Sequence, residues 1–86
     1  MRRIVCQEWG PPESLVVVDE PDPVAGPGQV VVAVSAAGVN FVDALFVAGT
    51  YQIKVPPPFT PGSELVGRVV AVADDVTSVS VGDRVL

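Results

Sequence analysis

The chain has 86 residues, with five basic and ten acidic side chains and a net charge of -5. No basic stripe is available to neutralise phosphates, which argues against a nucleic-acid partner. Half of the residues are hydrophobic (49%) and 17% are charged, so the composition suits one small packed domain and not a disordered segment.

Valine dominates the apolar residues and favours strands, because β-branched side chains fit a pleated, packed surface. Residues 2–8 read as a first strand, stopped by Gly10-Pro11-Pro12. Arg2-Arg3 is not followed by an apolar stretch, since Glu8 interrupts it, so no secretory leader is expected. Cys6 is the single cysteine, which rules out an internal disulfide, and its apolar setting reads as a buried structural thiol. Residues 14–19 form a second strand, closed by Pro21-Asp22-Pro23. Gly26-Pro27-Gly28 makes a turn, and residues 29–37 form a third strand. Its run Val30-Val31-Val32-Ala33-Val34 is apolar without alternation, as for a strand covered on both faces. That run is far too short to cross a bilayer, and a soluble cytoplasmic protein without membrane partners is expected.

Residues 40–48 read as a short helix, with Phe41 and Leu45, and Val42 and Phe46, spaced four apart. Asn40 suits the N-cap, Asp43 the N3 position, and Gly49 a left-handed stop. Residues 54–61 are proline-dense and extended. Residues 65–73 form a fourth strand, and a further strand begins at residue 81 after a turn around Asp74-Asp75. The pattern defines a mainly β, mostly antiparallel barrel or sandwich with one short helix. It names no function, but the absence of histidine removes imidazole acid–base chemistry and most zinc geometries.

Three segments in order carry a resemblance: Ala36-Ala37-Gly38-Val39-Asn40-Phe41-Val42-Asp43, Pro58-Phe59-Thr60-Pro61-Gly62-Ser63-Glu64-Leu65-Val66-Gly67 and Val81-Gly82-Asp83-Arg84-Val85. The opening Trp9-Gly10-Pro11-Pro12-Glu13, with Leu15, is also similar. Together they resemble the medium-chain dehydrogenase/reductase superfamily, in its quinone oxidoreductase (zeta-crystallin-like) branch. The resemblance implies a GroES-like, partly open β-barrel as the N-terminal domain over residues 1–86, incomplete and cut before a Rossmann domain that holds NADPH. No Gly-x-Gly-x-x-Gly occurs here, so the phosphate-binding half is expected elsewhere.

The implied activity is zinc-independent hydride transfer from NADPH to quinones or related conjugated carbonyls, in a homodimeric cytoplasmic enzyme. An enoyl or 2-alkenal reductase on the same scaffold, and a non-enzymatic GroES-like interaction module, remain as alternatives. Asn40 and Ser63 stand where zinc-dependent relatives carry a ligating cysteine and histidine; an amide and a hydroxyl are poor replacements, so no metal site is expected.

The resemblance sets Asn40 at the nicotinamide end of the cleft as a catalytic and cofactor-binding residue, while its plain reading is an N-cap. Phe41, Val42, Asp43 and Leu45 would line the nicotinamide side, although Asp43 is also explained by helix capping. Leu45 replaces a tyrosine of several relatives. Tyr51, the only tyrosine, is either a loop anchor or a catalytic hydrogen-bonding group near the substrate. Glu64 and Arg84 are expected to form a structural ion pair, and Asp83 to build a turn. Residues 1–86 alone are expected to be inactive and to self-associate through an unpaired strand edge.

Overall fold

The computed structural model describes residues 1–86. In chain order it contains β1 (Arg2–Val5), a single 3-10 turn (Pro12–Ser14), β2 (Val16–Asp19), β3 (Val30–Ala37), α1 (Phe41–Ala48), β4 (Leu65–Val72) and β5 (Arg84–Val85). The fold is mainly β with one helix, and the strands form a two-stranded sheet, β1-β2, and a three-stranded sheet, β3-β4-β5. No helix is long and apolar enough to cross a membrane. The chain divides into two compact units, one made of residues 1–21 and 39–63, the other of residues 22–38 and 64–86.

In the first unit β1 and β2 pair antiparallel, from Arg2 opposite Asp19 to Val5 opposite Val16. Both strands are shorter than their apolar patterns predict. Pro11 and Pro12 lack the N–H groups a ladder needs. Ser14 instead folds into the 3-10 turn, its N–H and hydroxyl both donating to the Pro11 carbonyl at 3.0 and 2.7 Å. Beyond Val5 the first strand therefore loses its partner. The Cys6 backbone turns to Phe59, donating to its carbonyl at 2.8 Å and accepting from its N–H at 3.2 Å. Cys6 is fully buried, as expected, with its thiol 3.1 Å from the Glu8 carbonyl. Val5, Cys6 and Val47 are the buried apolar residues of this unit. Arg3 ties the hairpin to the proline-rich loop, with Nε 2.6 Å from Glu20 Oε1 and Nη1 donating to Thr60 Oγ1 at 2.9 Å.

In the second unit β4 is central. β3 pairs with it from Val30 opposite Val72 to Ala37 opposite Leu65, with irregularities between Val31 and Val32 and between Val34 and Ala36. No residue of β3 is buried, so the unalternating valine run does not mark a strand covered on both faces. β3 is an edge strand here and borders an open apolar groove lined by Val24, Val30, Val32, Val34 and Leu65. Gly67 lets β3 and β4 approach closely: a Cβ there would lie 2.3 Å from the Ala33 carbonyl oxygen. Before β5, Asp83 builds the expected turn, its carboxylate accepting from the Ser80 N–H at 2.9 Å.

Candidate functional site

Local chemistry sets both ends of α1. Asn40 is the N-cap, with extended φ -120° and ψ 159°. The Asp43 carboxylate reaches back from N3, its Oδ2 accepting from the Asn40 N–H at 2.8 Å. The Asp43 N–H donates in turn to the Asn40 carbonyl at 3.0 Å. A carboxylate at this position also gains from the helix dipole. At the other end Gly49 adopts φ 70°, and the Thr50 N–H donates to the Leu45 carbonyl at 3.0 Å. A left-handed residue at this position closes the last turn by meeting its free carbonyls.

These ends distribute the expected site residues unequally. Asn40 is exposed and Phe41 is 80% exposed, so an amide and an aromatic ring stand open at the helix N-terminus. Val42 and Leu45 are half-buried. Asp43 is buried, and its Oδ1 has no hydrogen-bond partner. Buried polar atoms are nearly always paired, which makes this oxygen a group short of a donor. Tyr51 lies past the opposite end of α1, its ring tilted 50° against Phe46 with centroids 4.9 Å apart. Eight residues of helix span about 12 Å, so the backbone holds Asn40 and Tyr51 at separate ends.

Two residues of this region escaped the sequence reading. Trp9 Nε1 donates to the Val55 carbonyl at 3.0 Å, and the Lys54 ammonium, 5.5 Å from the indole centroid, donates to the Gly49 carbonyl. Nothing local in the sequence signals these links, which join residues 46 and five positions apart.

Ser63 is exposed, and no group of three His, Cys, Asp or Glu side chains is placed to hold a metal ion. The expected ion pair between Glu64 and Arg84 does not form. The Glu64 side chain covers Gly38, where a Cβ would lie 1.9 Å from its Oε1. Arg84 faces Arg68 across the β4–β5 ladder, and Arg68 donates to the Gly82 carbonyl at 3.0 Å. Glu64 precedes β4, so four residues of extended chain, about 13 Å, separate it from the position opposite Arg84.

The arrangement is a short capped helix on a strand-rich frame, displaying an exposed asparagine at its N-terminus. Residues 26–86 match the family of the alcohol dehydrogenase GroES-like domain, and the chain belongs to that family. It lies in the medium-chain dehydrogenase/reductase superfamily, in the quinone oxidoreductase branch. It is 49% identical over 86 residues to a quinone oxidoreductase-like protein 2 homolog of Nematostella vectensis, covering 99% of this chain and 23% of that protein. A probable oxidoreductase from Mycobacterium abscessus matches with a TM-score of 0.84 and 46% identity, over 98% of this chain and 26% of that one. The Escherichia coli quinone oxidoreductase, solved in complex with NADPH, matches with a TM-score of 0.83 and 29% identity, over 98% of this chain and 26% of that one. The chain thus spans about a quarter of the length of the relatives it matches.

Proposed function

We propose that the chain is the N-terminal part of a zinc-independent oxidoreductase that reduces quinones or related conjugated carbonyls with NADPH. The observation that carries this reading is the exposed Asn40 at the N-terminus of α1, in a chain similar over nearly its whole length to a quinone oxidoreductase solved with NADPH. The dinucleotide is held mainly by a Rossmann domain outside these residues, and when bound it supplies the hydride.

The residues present fit the nicotinamide end of such a cofactor. The Asn40 amide offers a donor and an acceptor to a ribose hydroxyl or a substrate carbonyl. Asp43 holds the Asn40 backbone through its 2.8 Å hydrogen bond, and its unpaired Oδ1 is the acceptor this region has to spare. Phe41, Val42 and Leu45 supply apolar surface that excludes water from the reacting face. Tyr51 carries a hydroxyl able to donate to a quinone oxygen as negative charge develops there. Conjugation already activates such an acceptor, so the chemistry needs no Lewis acid. The amide of Asn40 and the hydroxyl of Ser63 are poor zinc ligands, which agrees with that.

The test is steady-state NADPH oxidation by the full-length protein with benzoquinone, phenanthrenequinone and a crotonyl thioester. Turnover with the quinones supports the reading. Turnover with the thioester alone would make the protein an enoyl reductase, and none with any acceptor would refute the assignment.

A further inference from the structure

The loop that leaves α1 is held at both ends, by its own Lys54 and by Trp9 from earlier in the same unit. At its start, the Lys54 ammonium donates to the Gly49 carbonyl, at the C-terminus of the helix where a cation is favoured. At its finish, the Trp9 indole N–H donates to the Val55 carbonyl at 3.0 Å. The two grips are joined. The ammonium sits 5.5 Å from the indole centroid, and the indole lies so close over Gly49 that a Cβ there would be 2.7 Å from its Cγ and Cδ2. Trp9, Gly49, Lys54 and Val55 therefore close a cycle around the loop.

Tyr51 stands inside that cycle. Its ring is laid against Phe46, while its hydroxyl engages no group of the chain. The ring is thus placed by Phe46, and the hydroxyl, bonded to no group of the chain, is available to a ligand. The clasp itself is peripheral. Trp9 is 43% exposed and Lys54 is exposed, so neither contact is a main support of the core.

We propose that Trp9 and Lys54 are positioning residues, which fix the loop of Tyr51 and thereby aim its hydroxyl at the oxygen of the bound acceptor. This rests on the quinone-reductase reading above. Displacing a catalytic group by about an ångström is enough to slow a reaction by up to about 100-fold, so a clasp remote from the chemistry can matter for rate.

Two variants separate the links. Trp9→Phe keeps an aromatic ring over Gly49 and near the ammonium but removes the N–H; Lys54→Met keeps the apolar stem and removes the charge. Selective tyrosine ring labelling of the full-length protein, with the Tyr51 NMR signal assigned by its loss in Tyr51→Phe, reports the environment of that ring without any turnover. Both variants are expected to move the Tyr51 ring resonances toward unfolded values, and Lys54→Arg to restore them. In the full-length enzyme both should lower kcat for quinone by about tenfold, leave KM for NADPH unchanged, and lower kcat no further in a Tyr51→Phe background.

Unchanged Tyr51 resonances in both variants would overturn the proposal. So would a fall in kcat that persists undiminished in Tyr51→Phe, because the clasp would then act through something else. If the resonances move but the unaltered enzyme reduces no quinone, the functional reading has failed and the catalytic part of the proposal falls with it, while the clasp remains as a constraint on the loop.

Discussion

Replacing Gly67 by alanine tests how β3 and β4 fit together. Gly67 is buried in the central strand, opposite Val34 of β3 and Val85 of β5. An added methyl would lie 2.3 Å from the Ala33 carbonyl oxygen and 2.7 Å from Val32 Cγ1. Comfortable separations are about 3.5–4.0 Å, so the β3 backbone must retreat by about an ångström. Overpacking of this kind costs about 1–3 kcal/mol. Weakening one or two ladder hydrogen bonds adds about 1 kcal/mol each. Reduced freedom of the unfolded chain returns about 0.4–1 kcal/mol. The net expectation is a loss of about 2–4 kcal/mol, a large fraction of the stability of a small domain.

The control is Gly38→Ala. Its methyl would come even closer to another atom, 1.9 Å from Glu64 Oε1. Glu64 Cδ and Cγ would also lie 2.7 and 2.8 Å away, but all three atoms belong to one exposed side chain that can change rotamer, so the expected cost is about 1 kcal/mol, below that of Gly67→Ala. Urea unfolding followed by far-ultraviolet circular dichroism measures both. A Gly67→Ala protein within about 0.5 kcal/mol of the parent, or a Gly38→Ala protein less stable than Gly67→Ala, would refute the reasoning.

Asn40→Ala in the full-length enzyme should lower kcat/KM for quinone by about 10–100-fold, and Asn40→Asp should also be impaired; if both turn over normally, Asn40 is only a helix cap. Asp43→Ala leaves the Asn40 N–H without its acceptor and should destabilise the chain by about 1–3 kcal/mol in urea, with near-wild-type stability counting against the observed cap. Arg84→Glu converts the facing arginines of β4 and β5 into an opposite-charge pair and should stabilise by about 0.2–1 kcal/mol, an increase that added salt should reduce. Metal analysis of purified, untagged, full-length protein should find far less than one zinc per chain, and a stoichiometric zinc held at Asn40 and Ser63 would contradict the reading of that pair.

The helix was the most legible element because its signals are local. Asn40, Asp43 and Gly49 each act within a few residues, and the structure shows the Asp43 carboxylate on the Asn40 N–H and Gly49 at φ 70°. Strand ends were less legible because partners are distant. Cys6 meets Phe59, 53 positions further along the chain, which no apolar pattern near residue 6 could announce. Register is not legible for a related reason. The valine run of β3 lacks alternation, so nothing in it marks the two irregularities, and a shifted register changes which residues meet. Nor does the sequence mark which residue of β4 meets β5: Glu64 and Arg84 read as partners, while the ladder sets Arg84 against Arg68. At the candidate site, residues 40–45 were legible as one segment, whereas the clasp on Tyr51 depends on Trp9, far upstream.

The division of the chain also bears on how it can be built and cut. The backbone passes between the two units at three points, after residues 21, 38 and 63, so each unit is assembled from two stretches separated by the other's sequence. A nascent chain cannot complete the first unit until residue 63 has emerged, although its opening hairpin is ready much sooner. Closing such intervening loops costs entropy before the contacts repay it, which slows folding relative to a unit made of neighbours. No single cut of the polypeptide frees either unit whole. Deletion of residues 22–38 would leave the first unit's pieces joined directly, yet would strip the second of its longest strand pairing, so one unit is excised only at the other's expense.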